Sequence, residues 1–381
     1  MQPQYSIVAF SHLRWNFVYQ RPQHLLSRLA ARRPVFFVEE PELDVGPARW
    51  ERSNPQLNVT VLRPRTSVEA SGFHADQLPP LAPLIAELAA DLEGRTVVGW
   101  LYTPMALPLA EALGPDAIVY DCMDELSLFL GAPPELLSRE ADLLECADLM
   151  FTGGPSLYRA KQARHPNVHC FPSSVDAAHF RAARSIEGKS EIPEAADQAG
   201  VPRPRLGFYG VIDERLDLPL LDFIAEKRPE WHIVLVGPVV KIDPASLPQR
   251  PNIHYFGQRS YQELPAYLAG WDVCLLPFAK NDATRFISPT KTLEYMAAEL
   301  PIVSTPITDV AEPYRDIVYL GATPQQFLAA CETALSAGAA ERAERTAGMR
   351  KVLLGTSWDV TVAAMEKLLA AALQRRVSVP A

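Results

Sequence analysis

Lys291 and Glu294 stand three residues apart in the run Ser288–Thr305, SPTKTLEYMAAELPIVST, and Arg215 stands five residues after Gly210. Three residues is just under one helical turn, so the ammonium and the carboxylate project from one side of a first turn. The leading backbone N–H groups of a helix have no partner within it and favour an anion. A cation, a carboxylate and such N–H groups suit a ligand that carries both phosphate and hydroxyls. Arg215 can hold a phosphate through two parallel hydrogen bonds, and with Lys291 it makes a pair of cations for a diphosphate. Glu294 can accept from two neighbouring ribose hydroxyls. The bland alternative is a surface ion pair on an ordinary core helix.

The elements that must position these residues are legible. Ser288-Pro289-Thr290 is a turn that opens a helix, and Leu293, Met296 and Ala297 repeat at helical spacing. Pro301 ends that run, and Ile302-Val303 reads as a short buried strand. Leu206–Tyr209 is a strand ending at Gly210, and His232–Val236 a strand ending at Gly237-Pro238. A glycine at a strand end lets backbones approach closely. Leu218–Lys227 and Gln262–Ala269 read as helices, and Ile253–Tyr255, Val273–Pro277 and Ile317–Leu320 as further strands.

The first half alternates in the same way. Tyr5–Phe10 is a strand leading into the polar loop Ser11–Arg21, and Leu25, Leu26 and Leu29 mark an amphipathic helix. Val35–Val38, Leu57–Leu62, Thr96–Leu101, Ala117–Tyr120 and Asp148–Thr152 are strands; Leu81–Leu92, Glu135–Cys146 and Pro155–Arg164 are helices. Alternating strands and helices predict an α/β fold with parallel sheets, whose ligands sit at the carboxyl ends of strands. The strand Ala117–Tyr120 runs into Asp121, Asp124 and Glu125 at such an end. Packed acids repel one another and mark candidate sites, the alternative being an acidic helix start. The polar stretch 183–204 has no sustained periodicity and reads as a linker. The expected organisation is residues 1–182, a linker at 183–204, residues 205–357, and a last helix within 358–381 able to pack on either half.

Composition narrows the classes. At 381 residues, 48% hydrophobic and 21% charged, the chain has enough apolar matter for two cores. A formal charge of −9 argues against general nucleic-acid binding. The five cysteines show no CxxC pair, which fits buried thiols in a reducing compartment. No leader-like segment and no run of about 18 apolar residues is seen, so the expectation is cytoplasmic. GxGxxG, the P-loop, zinc spacings, a GxSxG elbow and an Asp-x-Asp pair for a metal–diphosphate are all missing, so a hydrolase or a dehydrogenase would have to be unorthodox.

The half from Gly207 to Val310 resembles the nucleotide-sugar domain of GT-B glycosyltransferases, specifically glycosyltransferase family 4. The similarity lies in YG followed by Arg215, LVGP at Leu235–Pro238, the spacing of Gly257, Glu263, Leu264, Tyr267 and Leu268, and SPTKTLEYMAAELPIVST. In the first half, SHLRWNFVYQRPQHLLSRLA and FPSSVDAAHF resemble the same group. The resemblance implies a bacterial retaining hexosyltransferase with two Rossmann-like domains facing a central cleft and the C-terminal helix crossing back to the first. It implies an NDP-sugar (UDP- or GDP-) as co-substrate, bound by the second domain, and a glycan or lipid-linked saccharide as acceptor, with no metal. Arg215 and Lys291 would bind the diphosphate with the Ser288, Pro289 and Thr290 turn, Glu294 the ribose, and Gly237 and Tyr261 would lie near the base. Asp121 or Asp124 would orient the donor sugar or the acceptor hydroxyl.

Three positions depart from the family pattern. Phe286 stands where the family often has the first of two glutamates, leaving Thr284, Arg285 or Ser288 to meet the sugar. Ser11–Trp15 replaces a glycine-rich loop, so His12, Arg14 and Trp15 become candidates there. Met123 stands where a histidine is usual. His24 reads as a half-buried packing residue, while Trp15 and Tyr19 either stack on a sugar or wall a helix against the sheet. The basic run Arg159, Lys161 and Arg164 reads as a solvated face or as a contact with anionic lipid at the inner membrane face. Two alternatives share the fold: an NDP-sugar-binding protein without transfer, and an NDP-sugar epimerase.

Overall fold

A computed structural model describes residues 5–186 and 189–378. The chain folds as two units, Met1–Pro172 with Asp359–Ala381, and Ser173–Trp358. The sheet of the first unit contains β1 (Tyr5–Ser11), β2 (Val35–Glu39), β3 (Glu42–Leu43), β4 (Arg49–Gln56), β5 (Val59–Thr66), β6 (Thr96–Leu101), β7 (Ala117–Cys122), β8 (Leu149–Thr152) and β9 (Val168–Cys170). Their order is β3-β5-β2-β1-β6-β7-β8-β9, with β4 antiparallel on β5 and the other pairings parallel. β1 is buried at every position, as a central strand covered on both faces must be. The strand order reverses beside β1, so the loops after β1 and β6 flank the crevice where such sheets bind ligands.

The helix Trp358–Ser378 joins the first unit from Asp359 onward. Arg28 donates to Asp359 at 3.0 Å, and Arg33 pairs with Glu366.

In the second unit a small pair, β10 (Ser185–Ile186) and β11 (Lys189–Ser190), precedes the main sheet. The main sheet holds β12 (Arg205–Tyr209), β13 (His232–Val236), β14 (Ile253–Tyr255), β15 (Val273–Leu276), β16 (Ile302–Ser304) and β17 (Tyr319–Leu320). The order β14-β13-β12-β15-β16-β17 is all parallel and is the doubly wound 3-2-1-4-5-6 arrangement. Its crevice falls between the carboxyl ends of β12 and β15, from which Gly210, Arg215 and Phe278 lead away. The two units are therefore Rossmann-like and mixed α/β.

The expected linker at 183–204 is corrected by its packing. Residues Ser173 onward belong to the second unit, and within the described part of this stretch Ala183, Gln198 and Val201 are buried. Gln198 donates to the carbonyls of Ala266 and Tyr267 and accepts from Trp271 Nε1 at 3.1 Å. Polar composition looked like solvation, but the Gln198 side chain satisfies buried backbone carbonyls instead. β4 was also not expected. Its sequence RWERSNPQ has no apolar alternation because it is a largely exposed edge strand.

Candidate functional site

Lys291 sits in the first turn of the helix Thr290–Ala297, which has Pro289 as its N-cap. Its ammonium lies 5.4 Å from the Phe208 ring centre and 5.7 Å from that of Phe278, over two ring faces that favour a cation. Gly210, at φ +135°, leaves the space: a Cβ there would lie 2.8 Å from Lys291 Cε and 3.1 Å from Nζ. Gly237 follows β13 at φ +153°, and a Cβ there would come within 1.8 Å of the Gly210 carbonyl oxygen. The two glycines thus let adjacent strand ends meet backbone to backbone beside the ammonium. The pairing continues past them, since Gly210 N donates to Val236 O and Ile212 N to Pro238 O.

Arg215 lies on the loop after Gly210. The buried carboxylate of Asp213 holds its Nε at 3.0 and 3.1 Å and its Nη2 at 2.6 Å. Leu216 pairs with Phe278 in an isolated antiparallel bridge, which fixes this loop beside one of the rings under Lys291. Asp213 escaped sequence reading, although an acid two residues before an arginine is a local signal for such a brace.

Glu294 is 6% exposed and accepts a hydrogen bond from Tyr209 at 2.6 Å. Burial pushes its carboxyl up to about 7, against the opposing pull of the Tyr209 hydroxyl and the Lys291 charge. The usual value for the carboxyl is 4.5, so between pH 4.5 and 7 the folded chain holds a proton that the unfolded chain has lost. Stability that is full below pH 4.5 therefore falls as pH rises toward 7. Glu294→Gln is accordingly expected to stabilise the ligand-free protein at pH 8, on the order of 1–3 kcal/mol, with little effect at pH 4.5. Thermal unfolding at the two pH values checks this, and an equal change at both would contradict it.

Ser288, Pro289 and Thr290 are fixed from the start of this unit. Ser173 Oγ donates to Ser288 O at 2.6 Å and lies 3.4 Å from Thr290 Oγ1. Tyr261 stacks on His179 with ring centres 4.3 Å apart, and His179 Nε2 meets Tyr261 O at 2.9 Å. Phe180 packs edge-on to Tyr261 and face to face with Tyr209. FPSSVDAAHF therefore supplies the bracket that ties the Tyr261 and Ser288 regions to β12. The structure brings Gly210, Gly237, Lys291, Glu294 and Tyr261 into one contiguous set, with Arg215 beside it. Phe286 carries the Arg285 guanidinium 5.1 Å above its ring.

The candidates in the first unit fare differently. Asp121 is fully buried and binds Arg21: Nε donates at 3.0 and 3.2 Å and Nη2 at 2.8 Å, while Nη1 donates to Phe171 O. Arg21 is itself 3% exposed, and its pKa is raised: burial works against the charge, and Asp121 outweighs it. Asp121 is thus a structural ion-pair partner and not an exposed sugar-orienting group. Asp121→Asn is expected to cost about 3 kcal/mol in denaturant unfolding, because the arginine stays buried with its partner neutralised. A change under about 1 kcal/mol would contradict that role.

Trp15 is also buried and packs edge-on to Phe37 at 5.0 Å, so it walls the core and does not stack on a ligand. Arg14 is drawn to Glu39 and to the carbonyls of Glu40 and Pro41, and Trp15 N donates to Glu39 Oε1. Arg14 is thus engaged within the first unit, because buried Glu39 needs cations and receives Arg14 and Arg63. His12 is part-buried on the loop after β1, and Asp124 is part-buried beyond β7, its carbonyl accepting from Cys122 Sγ. His24 is 1% exposed against Tyr19, more deeply packed than expected. The basic run is not a uniform surface. Lys161 is 2% exposed between Glu125 and Glu140, which withdraws it from any lipid-facing patch, whereas Arg164 donates to Glu140 at 2.7 Å and stays at the surface.

Among the described residues there is no group of three or more acids, histidines and cysteines placed to hold a metal, and no helix long and apolar enough to cross a membrane.

Residues 203–337 match the family described as Glycosyl transferases group 1. The chain is 27% identical over 276 residues to the provisionally named teichuronic acid biosynthesis glycosyltransferase TuaH of Bacillus subtilis (strain 168), covering 67% of this chain and 68% of that protein. Among solved structures it is similar to sucrose-phosphate synthase from Thermosynechococcus elongatus, with a TM-score of 0.73, 14% identity, and coverage of 98% of this chain and 100% of that one. It is similar to Anabaena HepE in complex with UDP and glucose, with a TM-score of 0.69, 13% identity, and coverage of 97% and 100%. A trehalose-6-phosphate synthase structure, from a study of glycosyl transfer with retention using bisubstrate glycomimetics, aligns at a TM-score of 0.61, 15% identity, and coverage of 97% and 99%. With a glycosyl transferases group 1 domain over residues 203–337 and a GT-B fold of two Rossmann-like units, the chain is a glycosyltransferase.

Proposed function

We propose that the protein transfers a hexose, with retention and without a metal, from a UDP- or GDP-sugar to a glycan or lipid-linked saccharide, as the resemblance to glycosyltransferase family 4 implies. The observation that carries this reading is the set at the strand ends of the second unit: Lys291 against Gly210, Arg215 braced by Asp213, and Glu294 three residues beyond Lys291. Lys291 and Arg215 meet the diphosphate and the charge that builds on it as the glycosidic bond breaks. The first N–H groups of the helix Thr290–Ala297 add partial positive charge there. Glu294 accepts from ribose hydroxyls, and the Tyr261–His179 stack stands as a platform on the base side. Two fixed side-chain cations can take the neutralising part that a divalent ion plays at other diphosphates, which supports metal independence. HepE was solved with UDP and glucose, and the trehalose-6-phosphate synthase study concerns retention; both support the finer assignment. The strand-end loops of the first unit are assigned to the acceptor.

The test is incubation of the protein with UDP- and GDP-hexoses in EDTA, with and without extracted glycan and lipid-linked acceptors. The expected result is acceptor-dependent release of the nucleoside diphosphate, unaffected by EDTA, and a product that keeps the donor's anomeric configuration by NMR. Nucleotide binding without transfer to any acceptor would favour a sugar-nucleotide-binding protein. Conversion of the free NDP-sugar with no acceptor present would favour an epimerase.

A further inference from the structure

Tyr209 ends β12 one residue before Gly210 and is 3% exposed. Its hydroxyl donates to Glu294 Oε2 at 2.6 Å, and its backbone N–H donates to the Tyr295 hydroxyl at 3.2 Å. Its ring lies parallel to Phe180 at 6.3 Å and edge-on to Tyr295 at 5.1 Å, so the phenol is held from several sides. Among the described residues, Glu294 Oε1 accepts no hydrogen bond. One carboxylate oxygen is thus occupied from within and the other is left to a ligand.

We propose that Tyr209 is a positioning residue that keeps Glu294 turned and ionised so that Oε1 accepts from the ribose, which makes recognition of the ribose 2′-hydroxyl depend on pH. The proposal rests on the reading of Glu294 as the ribose acceptor. The titratable groups that face the carboxyl are Tyr209 from β12, Lys291 and Tyr295 from its own helix, and, behind Tyr209 and Tyr295, Cys274 from β15. Burial and the charge of Glu294 raise the phenol of Tyr209 well above its ordinary value, so it remains a donor throughout the working range. With Oε2 committed to accepting from that phenol, a proton taken up by the carboxyl goes to Oε1. Oε1 then becomes a hydroxyl and loses its capacity as a strong acceptor. Removing the phenol removes a hydrogen bond to the charged form, so the carboxyl protonates at higher pH.

The experiment is calorimetric titration of UDP against dUDP and of GDP against dGDP between pH 6 and 9. The ratio of ribo to 2′-deoxy affinity cancels the titration of the phosphate itself, whose second ionisation falls near pH 6. For the wild-type protein the ratio is expected to be ~10-fold or more at pH 8, the range of a hydrogen bond to a charged group, and to fall several-fold by pH 6. Tyr209→Phe moves the midpoint of that fall to higher pH by about one unit, the scale of one hydrogen bond to a carboxylate. Glu294→Gln gives a ratio that does not change with pH. A purely structural role for Tyr209 would lower both affinities together and leave the midpoint in place, overturning the proposal. If Tyr209→Phe does not fold, a flat wild-type ratio still overturns it. Failure of every nucleotide to bind wild-type protein removes the donor-site reading as well, whereas tight binding with a flat ratio removes this proposal alone.

Discussion

Lys291→Ala is expected to lower kcat/KM for the nucleotide sugar by ~10²–10³, the loss seen when one preorganised group facing developing charge is removed. The ammonium is held over the Phe208 and Phe278 rings and beside the backbone of Gly210, so little reorganisation is needed when the diphosphate departs. Alanine removes the charge and leaves the rings in place. The accompanying loss of folding stability should be near the ~0.5–1 kcal/mol of an exposed cation–π contact. Lys291→Met separates charge from packing: it restores the stem and should remain as inactive as alanine. Steady-state kinetics on both variants, beside thermal unfolding, checks the expectation. Activity within about threefold of wild type would contradict it.

Gly237→Ala is expected to be the most damaging small substitution in the second unit, costing more than about 4 kcal/mol or preventing folding. Two effects act together. The backbone sits at φ +153°, which an L side chain rarely adopts, and the new Cβ would lie 1.8 Å from the Gly210 carbonyl oxygen. That oxygen belongs to backbone between paired strands, so it cannot swing aside as a flexible side chain would. Denaturant unfolding measures the loss. Near-wild-type stability would mean that the strand ends can separate, and would contradict this expectation.

How much of this was legible from the residues depended on distance along the chain. The helix Thr290–Ala297 and its Lys291 and Glu294 were readable because turn, cap and apolar stripe lie within a dozen residues. The parallel α/β character of the second sheet followed from strand and helix alternation, whereas its doubly wound strand order was seen only in the fold. Asp121 was misread because its partner Arg21 lies one hundred residues away, and a strand-end acid looks the same whether exposed or buried in an ion pair. Lys161 was misread for the same reason: its sequence neighbours are basic, while Glu125 and Glu140 reach it from other elements. Residues 183–204 have a linker's composition, yet Gln198 is fully buried because it satisfies backbone carbonyls that no apolar residue could. Tyr209 was visible as a strand residue, but its bond to Glu294 joins positions 85 residues apart.

The central claim, that the strand ends of the second unit hold the diphosphate of a nucleotide sugar, is tested most directly by one comparison. Calorimetry gives the affinity of a nucleoside diphosphate relative to its parent nucleoside, first for the wild-type protein and then for a Lys291→Ala, Arg215→Ala double variant. The diphosphate should bind wild type at least ~10²-fold more tightly, in line with charge-assisted contacts from two cations, and the double variant should bring the ratio close to one. A ratio that survives the loss of both cations would place the phosphates elsewhere and contradict the account.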